Sequence, residues 1–272
     1  MMNARDLKPV IQVENFSKSF GSVKAVDNIS FQVIPGECFG LLGPNGAGKS
    51  TTIKMLITLL PPDAGTAIVN GFSITSQGAH VRESIGYVPQ SLSVDGVLTG
   101  YENLMFFGKL YGWSEKQLKD RVPLVLELMD LKEAAHRQVA HYSGGMVRRL
   151  EIGQAILHQP AVVFLDEPTV GLDPVARHAL WKHIQELRRH HLVTLFLTTH
   201  YMDEAQELCS HIAIMNHGKI VVNGTLQELR KIAKLPKASM NDLFVRFVGP
   251  IDSEKGDLNN VSKIRRIARR LS

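Results

Sequence analysis

Cysteine and long apolar runs are both scarce in this chain. Cys38 and Cys209 are the only cysteines in 272 residues, which argues against a disulfide framework and is typical of proteins of a reducing cytoplasm. No apolar run approaches the ~20 residues that a helix needs to cross a bilayer. The first residues lack the apolar stretch of a secretory signal peptide. Any link to a membrane should therefore be peripheral, at its cytoplasmic face, through a partner or a surface patch.

A basic face spread over the whole chain is also missing. The formal net charge is +5, from 31 Lys and Arg against 26 Asp and Glu, and residues 261–272 alone contain five basic residues and no acid. A nucleic-acid-binding fold needs basic residues over a broad face, so we expect no nucleic-acid partner. As a helix, the 261–272 segment would place its apolar residues opposite its arginines, which favours contact with an anionic membrane surface. A solvated terminus is the alternative.

The sequence does contain a glycine-rich loop between an apolar run and a helical pattern. Its glycines let successive backbone N–H groups turn towards an anion, and the helix N-terminus adds a partial positive charge. Lys49 can reach the outer phosphates of ATP, and the Ser50 hydroxyl can bind Mg²⁺. The predicted ATP-binding loop consists of Gly43, Pro44, Asn45, Gly46, Ala47, Gly48, Lys49, Ser50 and Thr51.

Three short apolar runs, 39–42, 161–165 and 193–197, are typical of parallel strands buried on both faces. Helical patterns separate them, which predicts an α/β fold with its ligand at the carboxyl ends of the strands. Residues 11–35 predict a small antiparallel piece, and residues 97–144 predict an all-helical insert. Within that insert, Pro123 is expected at a kink or in the first turn of a helix.

The second of these apolar runs ends in two acids, Asp166 and Glu167. A carboxylate at the end of such a strand can lie against the hydration shell of Mg²⁺, and the next one can reach an attacking water. Adjacent acids are only moderately specific alone. Together with the glycine-rich loop they predict an ATPase.

Four further motifs complete a series of six. They are Gly86-Tyr87-Val88-Pro89-Gln90, Tyr142-Ser143-Gly144-Gly145-Met146, Gly171-Leu172-Asp173-Pro174 and Thr198-Thr199-His200. In this order the motifs resemble the nucleotide-binding subunit of ABC transporters, over residues 9 to about 230. The resemblance implies a P-loop NTPase (ABC ATPase) domain over 9–232, followed by an extension over 233–272 that carries the basic tail.

The resemblance also implies how the nucleotide is bound. Phe20 would stack on the adenine ring, where family members usually have Tyr. Ser50 and Gln90 would coordinate Mg²⁺, and Asp166 would act through the hydration shell of the ion. Glu167 would be the general base, while His200 would contact the γ-phosphate. The expected catalytic residues are therefore Glu167, His200, Lys49 and Gln90.

A second subunit is implied as well. Ser143, Gly144, Gly145 and Met146 would present a helix N-terminus to the γ-phosphate bound by the other subunit. Asp173 would lie at the contact between the two subunits, so that a monomer should be nearly inactive. The signature departs from the common Leu-Ser-Gly-Gly-Gln because Tyr142 and Met146 occupy its two ends. Since Ser143 and the glycine backbones make the main phosphate contact, we expect hydrolysis to be retained.

Three stretches resemble a particular group of exporters, the daunorubicin-resistance and nodulation-factor type, in which a separate permease carries the cargo. They are 142–151, 198–205 and 101–104 with 111–112. The prediction is therefore an Mg²⁺-dependent ATPase subunit that drives export through a membrane permease. An importer subunit and a soluble ABC ATPase acting on ribosomes or DNA are the alternatives.

Overall fold

The predicted α/β fold is confirmed, and its strands form two sheets. The computed structural model describes residues 8–191 and 193–249. In chain order the strands are β1 (Ile11–Phe20), β2 (Val23–Val33), β3 (Cys38–Leu42), β4 (Ala64–Val69), β5 (Phe72–Ser73), β6 (Ile85–Val88), β7 (Val162–Asp166), β8 (Thr194–Thr199), β9 (His211–Asn216) and β10 (Lys219–Gly224).

The larger sheet has the strand order β10-β9-β3-β8-β7-β6. β3 pairs in parallel with β8 and β9, and β7 pairs in parallel with β6 and β8. Every residue of β3, β7 and β8 is buried, as their continuous apolar runs predict. Their carboxyl ends therefore meet at one edge of the sheet, where Gly43, Glu167 and His200 follow them in the chain.

The predicted antiparallel piece is the smaller sheet, with the order β2-β1-β4-β5. Its first two strands lie in the expected region, whereas β4 and β5 were not predicted. In β4 only Ala67 and Val69 are buried, so this strand has little of the apolar pattern that identifies strands. The sheet positions Phe20, the last residue of β1, beside the glycine-rich loop, since both line one cavity.

Helices cover the larger sheet and form the predicted insert. Within the insert, α3 and α4 begin at capping boxes set by Thr99 and Ser114. In chain order the helices are α1 (Lys49–Leu56), α2 (Gly78–Ser84), α3 (Gly100–Leu110), α4 (Glu115–Leu128), α5 (Gly144–Ile156), α6 (Pro174–His191), α7 (Met202–Leu208), α8 (Leu226–Ala233) and α9 (Met240–Val248).

Pro123 lies in the interior of α4, so of the two predicted placements, a kink or a first turn, the first turn is excluded. The capping box of Ser114 and Gln117 starts the helix further upstream, because it satisfies the backbone N–H groups there. Pro123 itself is exposed. The missing N–H of a proline costs the helix one hydrogen bond at this point.

The first part of the 233–272 extension packs onto the larger sheet. Met240, Leu243 and Phe244 of α9 are buried in one apolar cluster with Leu42 and Leu229. The basic segment 261–272 lies outside the described residues. Within 8–191 and 193–249, no helix combines the length and the apolar character that crossing a membrane requires.

Candidate active site

The glycine-rich loop has a backbone that only glycine fits at two positions. Gly48 has φ 107°, and a Cβ there would lie 2.2 Å from the carbonyl oxygen of Ala25. A Cβ on Gly43 would lie 2.3 Å from the carbonyl oxygen of Met215. The first residue of α1 is Lys49, and Gly48 has no side chain to cap the helix. The first-turn N–H groups of α1 are therefore suited to an anion.

This loop forms one wall of a cavity of about 650 Å³, within the size range of small-molecule sites. Of its lining residues, Ala25 and Val170 were not predicted, whereas all the others were. The predicted lining residues are Phe20, Asn45, Gly46, Ala47, Gly48, Lys49, Ser50, Thr51, Gln90, Glu167 and His200.

Lys49 is buried under the loop and uses all of its hydrogen-bonding capacity. Its Nζ donates to the carbonyl oxygens of Gly43 (2.9 Å) and Pro44 (3.2 Å). The same atom lies 3.0 Å from Oε1 of Glu167. Because an ammonium group has three donors, a phosphate oxygen can bind Lys49 only by replacing one of these partners. The Glu167 carboxylate is the partner that a side-chain movement can release.

Asp166 is a buried carboxylate that accepts hydrogen bonds from two hydroxyl groups. Its Oδ1 accepts hydrogen bonds from Ser50 Oγ (3.1 Å) and Thr198 Oγ1 (2.6 Å). In the described part of the chain, no Lys, Arg or His forms an ion pair with it. Burial, together with the negative charge of Asp166, raises the pKa of the neighbouring Tyr87 to about 12.

These features fit a hard cation, because a buried carboxylate without a protein cation leaves negative charge uncompensated. Mg²⁺ is bound by one or two carboxylates together with substrate phosphates and water. Within 8–191 and 193–249 there is no cluster of three His, Cys, Asp or Glu side chains that could form a metal site by themselves. Ser50 and Asp166 are therefore residues that could hold Mg²⁺ here, and Gln90, which lines the same cavity, could supply a further oxygen.

Glu167 has a left-handed backbone, with φ 51°. Such a conformation costs a non-glycine residue ~1 kcal/mol or more and is frequent at functional sites. Its N–H donates to the carbonyl oxygen and to Oγ1 of Thr198, both at 3.1 Å. On the side chain, Oε2 accepts from Gln90 Nε2 (3.3 Å) and lies 3.3 Å from Nδ1 of His200. Lys49, Gln90 and His200 therefore all converge on one carboxylate.

A buried arginine fixes the backbone at Gln90. Arg148 of α5 donates to the carbonyl oxygens of Pro89 (2.8 Å) and Gln90, and its guanidinium pairs with Glu151 at 2.8 Å. The helix that begins at the signature motif thus connects directly to the segment that carries Gln90.

Gly43, Pro44 and Asp166 do not line the cavity but contact residues that do. The other predicted residues lie away from it; they are Ser143, Gly144, Gly145, Met146 and Asp173. Ser143 is exposed and caps α5 by accepting from the N–H of Met146. Asp173 is exposed and caps α6 by accepting from the N–H groups of Val175 and Ala176. A Cβ on Gly145 would lie 3.3 Å from Ala176. The signature and Asp173 therefore share one exposed surface.

Tyr142 and Met146, the two residues that depart from the common signature, both contact residues of the helical insert. Tyr142 Oη donates to the carbonyl oxygen of Ala134 (2.7 Å), and the guanidinium of Arg137 lies 5.3 Å from the Tyr142 ring centroid. Arg137 Nη2 also lies 3.2 Å from Sδ of Met146. Tyr142 and Met146 thus fix the start of α5 against the insert.

Sequence reasoning missed Thr198 as a site residue. Its hydroxyl donates to Asp166 Oδ1, and it also accepts from the Glu167 N–H. The signal was present, because Thr198 belongs to the motif that ends in His200. A hydroxyl at the end of the strand beside β7 is well placed to contact the two acids at the end of β7.

A mainly parallel sheet with a glycine-rich loop after β3 and two acids at the end of β7 defines a P-loop NTPase. Residues 26–170 match the family model described as "ABC transporter". The chain belongs to this family, as an ATP-binding subunit of an ABC transporter.

Curated relatives include the linearmycin resistance ATP-binding protein LnrL of Bacillus subtilis (strain 168), which is 40% identical over 242 residues, 87% of this chain and 78% of that protein. The Nod factor export ATP-binding protein I of Cupriavidus metallidurans is 42% identical over 81% of this chain and 72% of its own length. The doxorubicin resistance ATP-binding protein DrrA of Mycobacterium tuberculosis is 43% identical over 84% and 69%, respectively. The predicted resemblance to this group is therefore confirmed.

Among solved structures, one titled "Structure of ATP binding subunit of ABC transporter" superposes with a TM-score of 0.77 at 32% identity. The match covers 88% of this chain and 99% of that chain. The fold class predicted from the sequence is thus the fold of the family.

Proposed function

We propose that two copies of this subunit bind two ATP molecules head to tail, hydrolyse them with Mg²⁺ and drive export through a separate membrane permease. The observation that carries this proposal is that the signature motif lies apart from the cavity. Lys49, Gln90 and His200 converge on Glu167 in one cavity, whereas the signature motif at Ser143 lies exposed outside it. A second subunit would bring its own signature to the mouth of this cavity.

The main polar residues of the site, and Phe20, then have roles that fit their positions. The triphosphate replaces Glu167 at Lys49, which frees the carboxylate to accept a proton from the attacking water. His200, close to the same carboxylate, contacts the γ-phosphate and stabilises charge in the transition state. Mg²⁺, held by Ser50, Gln90 and Asp166, would neutralise charge on the β- and γ-phosphates. Phe20 is 52% exposed at the cavity edge, where its ring can stack on adenine.

The dimer can be tested by mixing two inactive variants, Lys49→Ala and Ser143→Asp. Asp is a good N-cap, so Ser143→Asp keeps α5 intact while its charge repels a γ-phosphate. In a head-to-tail pair, a mixed dimer contains one site with both an intact Lys49 and an intact Ser143. We therefore expect the ATPase rate of the mixture to exceed the sum of the separate rates.

The control is a mixture of Lys49→Ala with the double variant Lys49→Ala/Ser143→Asp, which contains no intact site in any pairing. It should stay at the rate of its components. If both mixtures behave alike, or if Ser143→Asp alone hydrolyses ATP like the unchanged protein, the head-to-tail arrangement is wrong.

An apolar groove between the helical insert and the larger sheet suits a permease segment. This groove encloses about 310 Å³ and includes Leu59, Ile85, Tyr87, Phe107 and Tyr111 in its lining. Leu59 is 63% exposed, and exposed apolar surface of this kind marks interaction sites. We propose that it receives a loop or short helix of the membrane partner.

The partner can be identified by capturing tagged Glu167→Gln protein from its own cells with ATP present. We expect a multi-span membrane protein in stoichiometric yield, whose own sequence then indicates export or import. Adding Leu59→Glu should reduce that yield. Adding Leu124→Glu should not, because Leu124 is similarly exposed, at 57%, and does not line the groove. Recovery of ribosomal or DNA-associated proteins without a permease would instead support a soluble ABC ATPase.

A further inference from the structure

Glu204 of α7 is a fully buried carboxylate that the proposed reaction leaves without a role. Its exposed fraction is 0%, and burial raises its pKa. Its Oε1 accepts hydrogen bonds from Thr169 Oγ1 (2.8 Å) and Trp181 Nε1 (3.1 Å). Its Oε2 is buried and has no hydrogen-bond partner within 8–191 and 193–249. The nearby Thr199 hydroxyl and the charge of Arg177 also favour its ionised form and act against the effect of burial on its pKa. Burying a carboxylate costs several kcal/mol unless its contacts compensate, so the two direct hydrogen bonds to Oε1 need a physical reason.

One of these contacts holds the turn that carries Glu167. Thr169 is itself fully buried and lies two residues after Glu167 in the chain. Within this turn, the Val170 N–H donates to the Glu167 carbonyl oxygen at 3.2 Å. Glu167 has the left-handed backbone described above, and such a conformation persists only where its surroundings enforce it. Downstream of Glu167 in this turn, the hydrogen bond from the Thr169 hydroxyl to Glu204 ties the turn to α7.

The other contact holds Glu204 itself. Trp181 belongs to α6 and is buried, so its indole N–H fixes the carboxylate from a different helix. α7 begins just after His200. Glu204 thus joins three segments, namely the turn after Glu167, the helix after His200 and α6.

We propose that Glu204 is a positioning residue, which acts through Thr169 to hold the Glu167 carboxylate in reach of Gln90 and His200. This inference rests on the proposed role of Glu167 as general base. A general base must stay within hydrogen-bonding reach of the water that it activates. A displacement of ~1 Å in such a site can lower the rate ~100-fold.

Two variants, Thr169→Val and Trp181→Phe, test the proposal against a purely structural role. Each removes one donor to the same Oε1 of Glu204 and keeps the approximate shape of its side chain. We expect Thr169→Val to lower kcat between ~5-fold and ~100-fold with an unchanged KM for ATP. Trp181→Phe should lower kcat less than ~2-fold, because it leaves the Thr169 contact in place.

Substitutions of Glu204 provide the second comparison. Glu204→Gln retains an Oε1 that can accept from both donors, so kcat should stay close to that of the unchanged protein. Glu204→Leu removes the acceptor and should lower kcat at least as much as Thr169→Val. Adding Thr169→Val to Glu204→Leu should then have little further effect, since both act on one contact.

The result that overturns the proposal is an equal kcat for Thr169→Val and Trp181→Phe, whether both are reduced or both are unchanged. A kcat for Glu204→Gln as low as that of Glu204→Leu also overturns it. Assaying Glu167→Gln alongside separates this failure from a failure of the proposed function. If Glu167→Gln hydrolyses ATP at the unchanged rate, the base assignment is wrong and the positioning role fails with it. If Glu167→Gln is inactive, only the comparison of the other variants decides.

Discussion

Replacing Glu167 with Gln should reduce ATP hydrolysis at least ~100-fold, the usual contribution of a general base, while ATP binding is retained. Gln keeps the shape of the side chain but cannot accept the proton of the attacking water. It also removes the ion pair between Glu167 and Lys49, so that phosphate no longer competes with a carboxylate for the ammonium group. The variant should therefore accumulate with ATP as a dimer, which size-exclusion chromatography with and without ATP can detect.

A matched control for this prediction is Glu186→Gln. Glu186 is an exposed glutamate of α6, so its replacement changes the net charge by the same amount away from the cavity. Its hydrolysis rate and elution volume should equal those of the unchanged protein. An unchanged rate for Glu167→Gln would contradict the assignment of the base. A Glu167→Gln protein that elutes as a monomer with ATP would contradict the proposed dimer.

The parts of the site that sequence reasoning predicted are those carried by short, continuous motifs. The runs that became β3, β7 and β8 are apolar because both faces of these strands are covered. Once these strands are parallel, their carboxyl ends must meet, and the residues that follow each one come together. This reasoning needs no contact information, which is why Lys49, Glu167 and His200 could be predicted as one site.

What could not be predicted depends on contacts between distant segments. Nothing in the local pattern shows that Arg148 holds the carbonyl oxygens of Pro89 and Gln90. The same is true of Glu204, since a glutamate in an amphipathic helix is usually exposed. β4 was missed because packing against β1, rather than its own propensity, places it in the sheet. The left-handed backbone of Glu167 likewise follows from tertiary contacts, because sequence reasoning expects such a conformation chiefly at glycine.

Replacing Lys49 with Ala should weaken ATP binding, which Glu167→Gln retains. We expect the Kd for ATP to rise at least ~10-fold. A hydrogen bond to a charged group contributes ~1.5–3 kcal/mol, and each ~1.4 kcal/mol corresponds to a tenfold change. The loss of Lys49 also leaves the Glu167 carboxylate without its cation, beside the buried Asp166. Two negative groups would then face the triphosphate. Isothermal titration with ATP measures the effect, and Lys54→Ala, an exposed lysine of the same helix, is the control with an unchanged Kd.

The double variant Lys49→Ala/Glu167→Gln separates these two causes. If repulsion by Glu167 contributes to the loss, the double variant should bind ATP more tightly than Lys49→Ala alone. The two substitutions should then be non-additive, as expected for groups in direct contact. If both bind ATP equally weakly, the whole loss comes from the missing phosphate contact. An unchanged Kd in Lys49→Ala would contradict the role of Lys49, because the 3.0 Å contact with Glu167 would then be a structural ion pair that ATP does not replace.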